Sequence, residues 1–135
     1  MELKGGCYCG EVRYKIDGRP ALTGQCHCRA CQHFSGGAPN IFMLVEPDRF
    51  LYVAAPPASF RKAGLENAVT REFCSACGTQ IVTRRPGLRQ LVVKVGTLDD
   101  PSLIDGPSFA IFTGEMQRFH LIADGVAQYE TLPPR

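Results

Sequence analysis

The chain has 135 residues, a formal net charge of +2 and 44% hydrophobic residues, a size that predicts one domain spanning residues 1–135. Its pI near 8.2 falls short of the strongly basic balance, above about 9, of a nucleic-acid-binding domain. No stretch reaches the roughly 18 apolar residues of a membrane span, so neither nucleic acid nor membrane is an expected partner.

In chain order, residues 1–6 lack the apolar run of a signal peptide, which predicts a reducing cytoplasm where thiols persist. Residues 11–16 alternate apolar with polar side chains before the turn at Asp17-Gly18, the pattern of a half-buried strand. A short helix is expected over residues 29–35, stopped by Gly36-Gly37. Strands are expected over 41–45, 50–53, 68–73 and 80–83, and most strongly over 91–98. Pro56-Pro57 and Asp99-Asp100-Pro101 mark loops. A second, weaker helix is expected over 115–119, and the tail 132–135 is expected to fray. Fourteen glycines and ten prolines favour many short strands joined by tight turns, and seven or eight such strands make a mainly β domain.

The seven cysteines fall into three clusters: Cys7-Tyr8-Cys9, Cys26-His27-Cys28-Arg29-Ala30-Cys31 and Cys74-Ser75-Ala76-Cys77. An odd number leaves one thiol over in any disulfide framework, and paired clusters in a reducing compartment indicate metal binding. No C-x₂₋₄-C pair is followed at zinc-finger spacing by a His-x₃₋₅-His pair, and the flanks of Cys74 and Cys77 do not read as the βαβ unit of a redox motif. Zinc takes thiolates at tetrahedral corners about 2.3 Å from the metal. Cys7 and Cys9 are expected on one face of a strand, and Cys74 and Cys77 in a tight turn, with Gly10 and Gly78 making room for the backbone. These four are expected to share one structural zinc that clamps the N-terminal hairpin to the middle of the chain.

The middle cluster offers Cys26, Cys28 and Cys31 and no fourth cysteine. It forms either an open three-ligand site, the pattern of catalytic zinc, or a closed site completed by a histidine. The candidates are His27, His33 and His120; His27 is expected to point away, which leaves His33 as the better one. Three thiolates give zinc a net negative formal charge, which favours activation of a further thiol over hydrolysis of water. The open site is expected to be the more labile of the two.

The segments Gly5-Gly6-Cys7-Tyr8-Cys9-Gly10, Cys26-His27-Cys28-Arg29-Ala30-Cys31 and Phe73-Cys74-Ser75-Ala76-Cys77-Gly78-Thr79, in this order and spacing, resemble the glutathione-dependent formaldehyde-activating enzyme family. The ending Ile122-Ala123-Asp124-Gly125-Val126-Ala127-Gln128-Tyr129-Glu130 is similar too. The resemblance implies an Mss4-like β-tent with a zinc-ribbon-like structural site at Cys7, Cys9, Cys74 and Cys77. It implies a second, catalytic site at Cys26, Cys28 and Cys31, where zinc or glutathione engages. The implied activity joins glutathione to formaldehyde as S-(hydroxymethyl)glutathione, a carbon–sulfur lyase reaction in reverse. Family members often carry a His-Ile pair where this chain has Phe109-Ala110-Ile111-Phe112.

Several other residues admit two readings. Arg29, Arg71 and Lys94 are candidates to meet the carboxylates of an anionic thiol, against simple solvation. Ser35-Gly36-Gly37-Ala38 either lines a pocket or only stops a helix. Phe34, Phe42, Phe50 and Phe73 read as core. Two non-enzymatic alternatives stand beside the enzyme: a zinc-stabilised binding module closed by His33, and a thiol or metal sensor using the three-cysteine site.

Overall fold

Alternation in the second strand shows how the chain divides inside from outside: Tyr14 and Ile16 are buried while Lys15 and Asp17 face solvent. In the computed structural model, which describes residues 1–134, this strand, β2 (Arg13–Asp17), pairs antiparallel with β1 (Glu2–Gly6) and β5 (Phe50–Tyr52) in a three-stranded sheet. The remaining strands are β3 (Leu22–Cys26), β4 (Asn40–Val45), β6 (Ala58–Arg61), β7 (Thr70–Phe73), β8 (Gln80–Arg84), β9 (Leu91–Lys94), β10 (Phe109–Ile111) and β11 (Ala127–Gln128). They form an eight-stranded sheet in the order β11-β10-β3-β4-β9-β8-β7-β6. All its pairings are antiparallel except those of β10, which runs parallel to β3 and β11.

The main core lies between the sheets. Leu3, Val12, Tyr14 and Ile16 meet Met43, Val45, Ile81 and Val93 across it. Close approach at Gly5 keeps the seam narrow: a Cβ there would fall 2.4 Å from Tyr14 Oη, which pairs with Thr97 Oγ1 at 2.7 Å. Because side chains alternate along a strand, β4 sends Met43 and Val45 into this core and Phe42 and Leu44 to its opposite face. A second, smaller apolar cluster forms there around Cys26, Cys31, Phe42, Val92 and Ile111.

The mainly β, tent-like arrangement is the one the chain adopts, with eleven strands among the described residues where seven or eight were expected. The helix α1 (Arg29–Ser35) ends at Gly36 in the left-handed region, φ 82°. Two elements differ from expectation. The strand expected over 91–98 stops at Lys94, because Thr97 Oγ1 donates to Lys94 O (2.7 Å) and Leu98 N–H to Val95 O (3.1 Å), curling Val95–Thr97 into a 3₁₀ turn. The helix expected over 115–119 is replaced by a single 3₁₀ turn, Thr113–Glu115, entered through left-handed Phe112 at φ 54°. Of the tail expected to fray, Arg135 lies outside the described residues.

Candidate metal centres and the adjoining cavity

Cys7, Cys9, Cys74 and Cys77 come together from two turns on different sheets, their sulfurs all within 4.8 Å of one another. Cys7 and Cys9 were expected on a strand, yet both lie beyond the end of β1. A turn closed by Gly10 N–H donating to Cys7 O (3.2 Å) brings their sulfurs to 3.5 Å. Cys74 and Cys77 occupy the turn between β7 and β8, closed by Gly78 N–H on Cys74 O (2.8 Å). Gly10 and Gly78 sit at φ 88° and 80°, and a Cβ on either would meet nothing within 4 Å. Left-handed backbone is one requirement these glycines serve.

The gathered sulfurs fit a tetrahedral ion: bonds of about 2.3 Å give sulfur–sulfur edges of about 3.8 Å, and the Cys9–Cys74 pair stands at 3.7 Å. Hydrogen bonds from the surrounding chain favour the thiolate at Cys7 and Cys77. Val12 N–H donates to Cys7 Sγ at 3.2 Å, and the Thr79 hydroxyl beside Cys77 Sγ lowers that thiol to about 6. Tyr8 N–H donates to Thr79 Oγ1 (3.1 Å), tying one turn to the other.

The second group is built from one continuous loop. Cys26 ends β3, Cys28 caps the N-terminus of α1, and Cys31 stands in its first turn, where its N–H donates to Cys28 Sγ at 3.3 Å. All three sulfurs lie within 4.8 Å of one another. The neighbouring Cys26 and Cys31 thiols hold Cys28 well below its ordinary value, and the same proximity pushes Cys26 up. A divalent ion would displace the remaining protons.

No histidine joins either group among the described residues. His33, the better candidate for closing the site, is exposed. Two positions along a helix rotate a side chain by roughly 200°, so His33 leaves α1 on the side away from Cys31.

The three-thiol group lines a cavity of about 470 Å³ on the outer face of the eight-stranded sheet. Arg71 and Lys94 line it as well, while Arg29 does not: the Arg29 guanidinium donates to Gln32 Oε1 (2.5 Å). Arg71 is buried and lies over the Phe34 ring, 4.2 Å from its centroid. Burial lowers Lys94 to about 8, and its ammonium donates to Thr83 Oγ1 at 2.8 Å. Residues 35–38 lie outside the lining, so the helix stop accounts for their glycines.

Residues 2–115 match the family model described as glutathione-dependent formaldehyde-activating enzyme. The chain belongs to that family. A protein of Halomonas elongata whose name carries the same family description is 26% identical over 140 residues, covering 100% of this chain and 83% of the relative. A crystal structure of a Rhodobacter sphaeroides protein shares the fold, with a TM-score of 0.61 at 21% identity over 77% of this chain and 97% of that one.

This family member also builds a buried polar chain behind the three-thiol loop, which spacing did not reveal. Gln25 Nε2 donates to His27 Nε2 (2.9 Å), His27 Nδ1 meets His120 Nδ1 (2.9 Å), and His120 Nε2 donates to Gly37 O (2.7 Å). Gln117 N–H also donates to His120 Nδ1 at 3.2 Å. These partners assign the tautomers: His27 carries its proton on Nδ1 and His120 on Nε2, both rings neutral. Burial and the neighbouring His120 lower the His27 pKa, in keeping with that state. The chain holds His27, flanked by two of the thiols, against the C-terminal loop and the end of α1. Its partners lie 93 residues apart, beyond any local motif.

Proposed function

We propose that the protein adds a thiol to an aldehyde at Cys26, Cys28 and Cys31, glutathione and formaldehyde being the pair that the family description names. The observation that carries this reading is a trio of thiols from one loop opening on a cavity that also receives Arg71 and Lys94. In the condensation a sulfur lone pair forms the C–S bond to the carbonyl carbon. The C=O π pair moves to oxygen, and the thiol proton ends there as the new hydroxyl. Nothing is oxidised or reduced, and the reverse reaction is a carbon–sulfur lyase step.

A zinc ion held by the three thiols would supply an open coordination position that lowers the pKa of an incoming thiol. The chain's own part is to orient and to shield. Arg71 and Lys94 meet the carboxylates of the anionic thiol, and Phe42, Val92 and Ile111 keep water from the reacting atoms. Cys7, Cys9, Cys74 and Cys77 hold a structural zinc that ties the two sheets into one domain over residues 1–135. A cytoplasmic setting suits both the free thiols and a glutathione substrate.

The test is NMR exchange between formaldehyde, glutathione and their adduct, with zinc-loaded protein against Cys28→Ser. Acceleration that disappears in the variant supports the assignment; equal exchange in both overturns it.

A further inference from the structure

Strand order divides the cavity wall in two. β10, β3 and β4 turn Phe109, Ile111, Leu22, Phe42 and Leu44 toward it, and no charged side chain. Among the described residues, every charged group of the wall comes from the other half: Lys94 on β9, Arg71 on β7, and Arg85 just after β8. Along one row of the sheet Phe109 pairs with Gly24, Gly24 with Phe42, and Phe42 with Lys94. Apolar gives way to cationic within that single row. Gly24 is what lets the apolar half close over β3, since a Cβ there would meet the Phe109 ring at 2.6 Å. The ring lies edge-on to Phe42 with centroids 5.8 Å apart.

Neither reactant named by the family uses the apolar half. Glutathione is polar along its length, and its carboxylates suit the cationic half. Formaldehyde has no substituent for an apolar wall to hold, and a cavity of about 470 Å³ far exceeds what it occupies. Burial of apolar surface is the main energy such a wall can offer a ligand.

We propose that the carbonyl reactant is an aldehyde bearing an aromatic or branched-alkyl substituent, seated against Phe109, Phe42 and Leu44 while the anionic thiol lies against Arg71 and Lys94. This rests on the thiol-addition reading above and specifies its substrate class. The bond changes are the same. Sulfur attacks the carbonyl carbon beside Cys26, Cys28 and Cys31, and the thiol proton passes to the carbonyl oxygen.

The experiment compares formaldehyde with phenylacetaldehyde, each with glutathione and zinc-loaded protein, and reads acceleration over the uncatalysed exchange. The acceleration is expected to be roughly tenfold or more greater for phenylacetaldehyde, the discrimination a single well-filled apolar subsite gives. Phe42→Ser is expected to reduce that preference by roughly tenfold. Because both aldehydes are measured on one preparation, loss of folded protein cancels in the ratio. A second readout needs no turnover: unreactive phenylacetamide should shift the methyl resonances of Leu22, Leu44 and Ile111, leaving those of Val45 and Leu91 in the main core unmoved. Formaldehyde accelerated at least as much as phenylacetaldehyde overturns this inference and leaves thiol addition standing. Acceleration of neither aldehyde overturns both.

Discussion

The two thiol groups differ in where their members come from. Cys7 and Cys9 follow a strand of the three-stranded sheet, and Cys74 and Cys77 join two strands of the eight-stranded one. Whatever holds these four holds the sheets together. Cys26, Cys28 and Cys31 come from one loop and its helix and join nothing distant; what they face is a cavity. Exposure runs the opposite way to expectation from role. The joining group leaves Cys9 and Cys77 at the surface, while the cavity group buries Cys26 and Cys31. A clamp needs only convergent geometry, which two tight turns provide. A reactive site needs a dry wall around it, and that requires the sheet.

This contrast is broken most severely by removing one corner of the clamp. Cys74→Ser is expected to lose metal from the four-thiol group and cooperative unfolding with it, since a structural zinc contributes on the order of 10 kcal/mol. Metal content and a thermal melt check it together. Cys28→Ser should do the reverse, keeping the melt while thiol–aldehyde exchange falls roughly 100-fold or more. If both variants melt alike, the two groups do not divide the work.

The buried histidine pair sharpens the comparison from the cavity side. His120→Ala leaves the His27 Nδ1–H without its acceptor, which costs about 1–3 kcal/mol and is read by urea denaturation. Metal affinity should fall at the three-thiol group and stay constant at the four-thiol group. The smallest effect belongs to Arg13 and Asp99, paired at 2.8 Å across the seam of the two sheets. The Arg13 guanidinium holds the Asp99 carboxyl below its ordinary value of 3.8. A depressed carboxylate stabilises the fold above its ordinary pKa, and that contribution is lost as the pH falls through the folded value. Half-exposed Asp99 limits it to under about 1 kcal/mol. The stability difference between the native protein and Asp99→Asn should therefore be small at neutral pH and vanish in acid.

Much of this was legible in the sequence because it is local. Cys28 at the cap and Gly36 at the stop bound the helix Arg29–Ser35, and each acts within one turn. The cysteine spacing marked the three-thiol loop and each separate pair of the four-thiol group for the same reason. What stayed hidden depends on distance. β10 is three residues long, and its partner in β3 stands more than eighty positions earlier, so no periodicity announces either. His120 reads as an isolated histidine until the fold brings it to His27. His33, two residues past Cys31, suggests proximity on an extended chain, whereas a helix turns it outward.

The parallel pairing of β10 with β3 has a consequence in time. All four sulfurs of the sheet-joining group exist once Cys77 has been made, but the cavity lacks β10 until about Phe112 has followed. At typical synthesis rates those residues take roughly 2–7 s. During that interval the clamp can close while Cys26, Cys28 and Cys31 wait beside a half-built wall. The chain thus completes its fastening before its reactive thiols have a shelter.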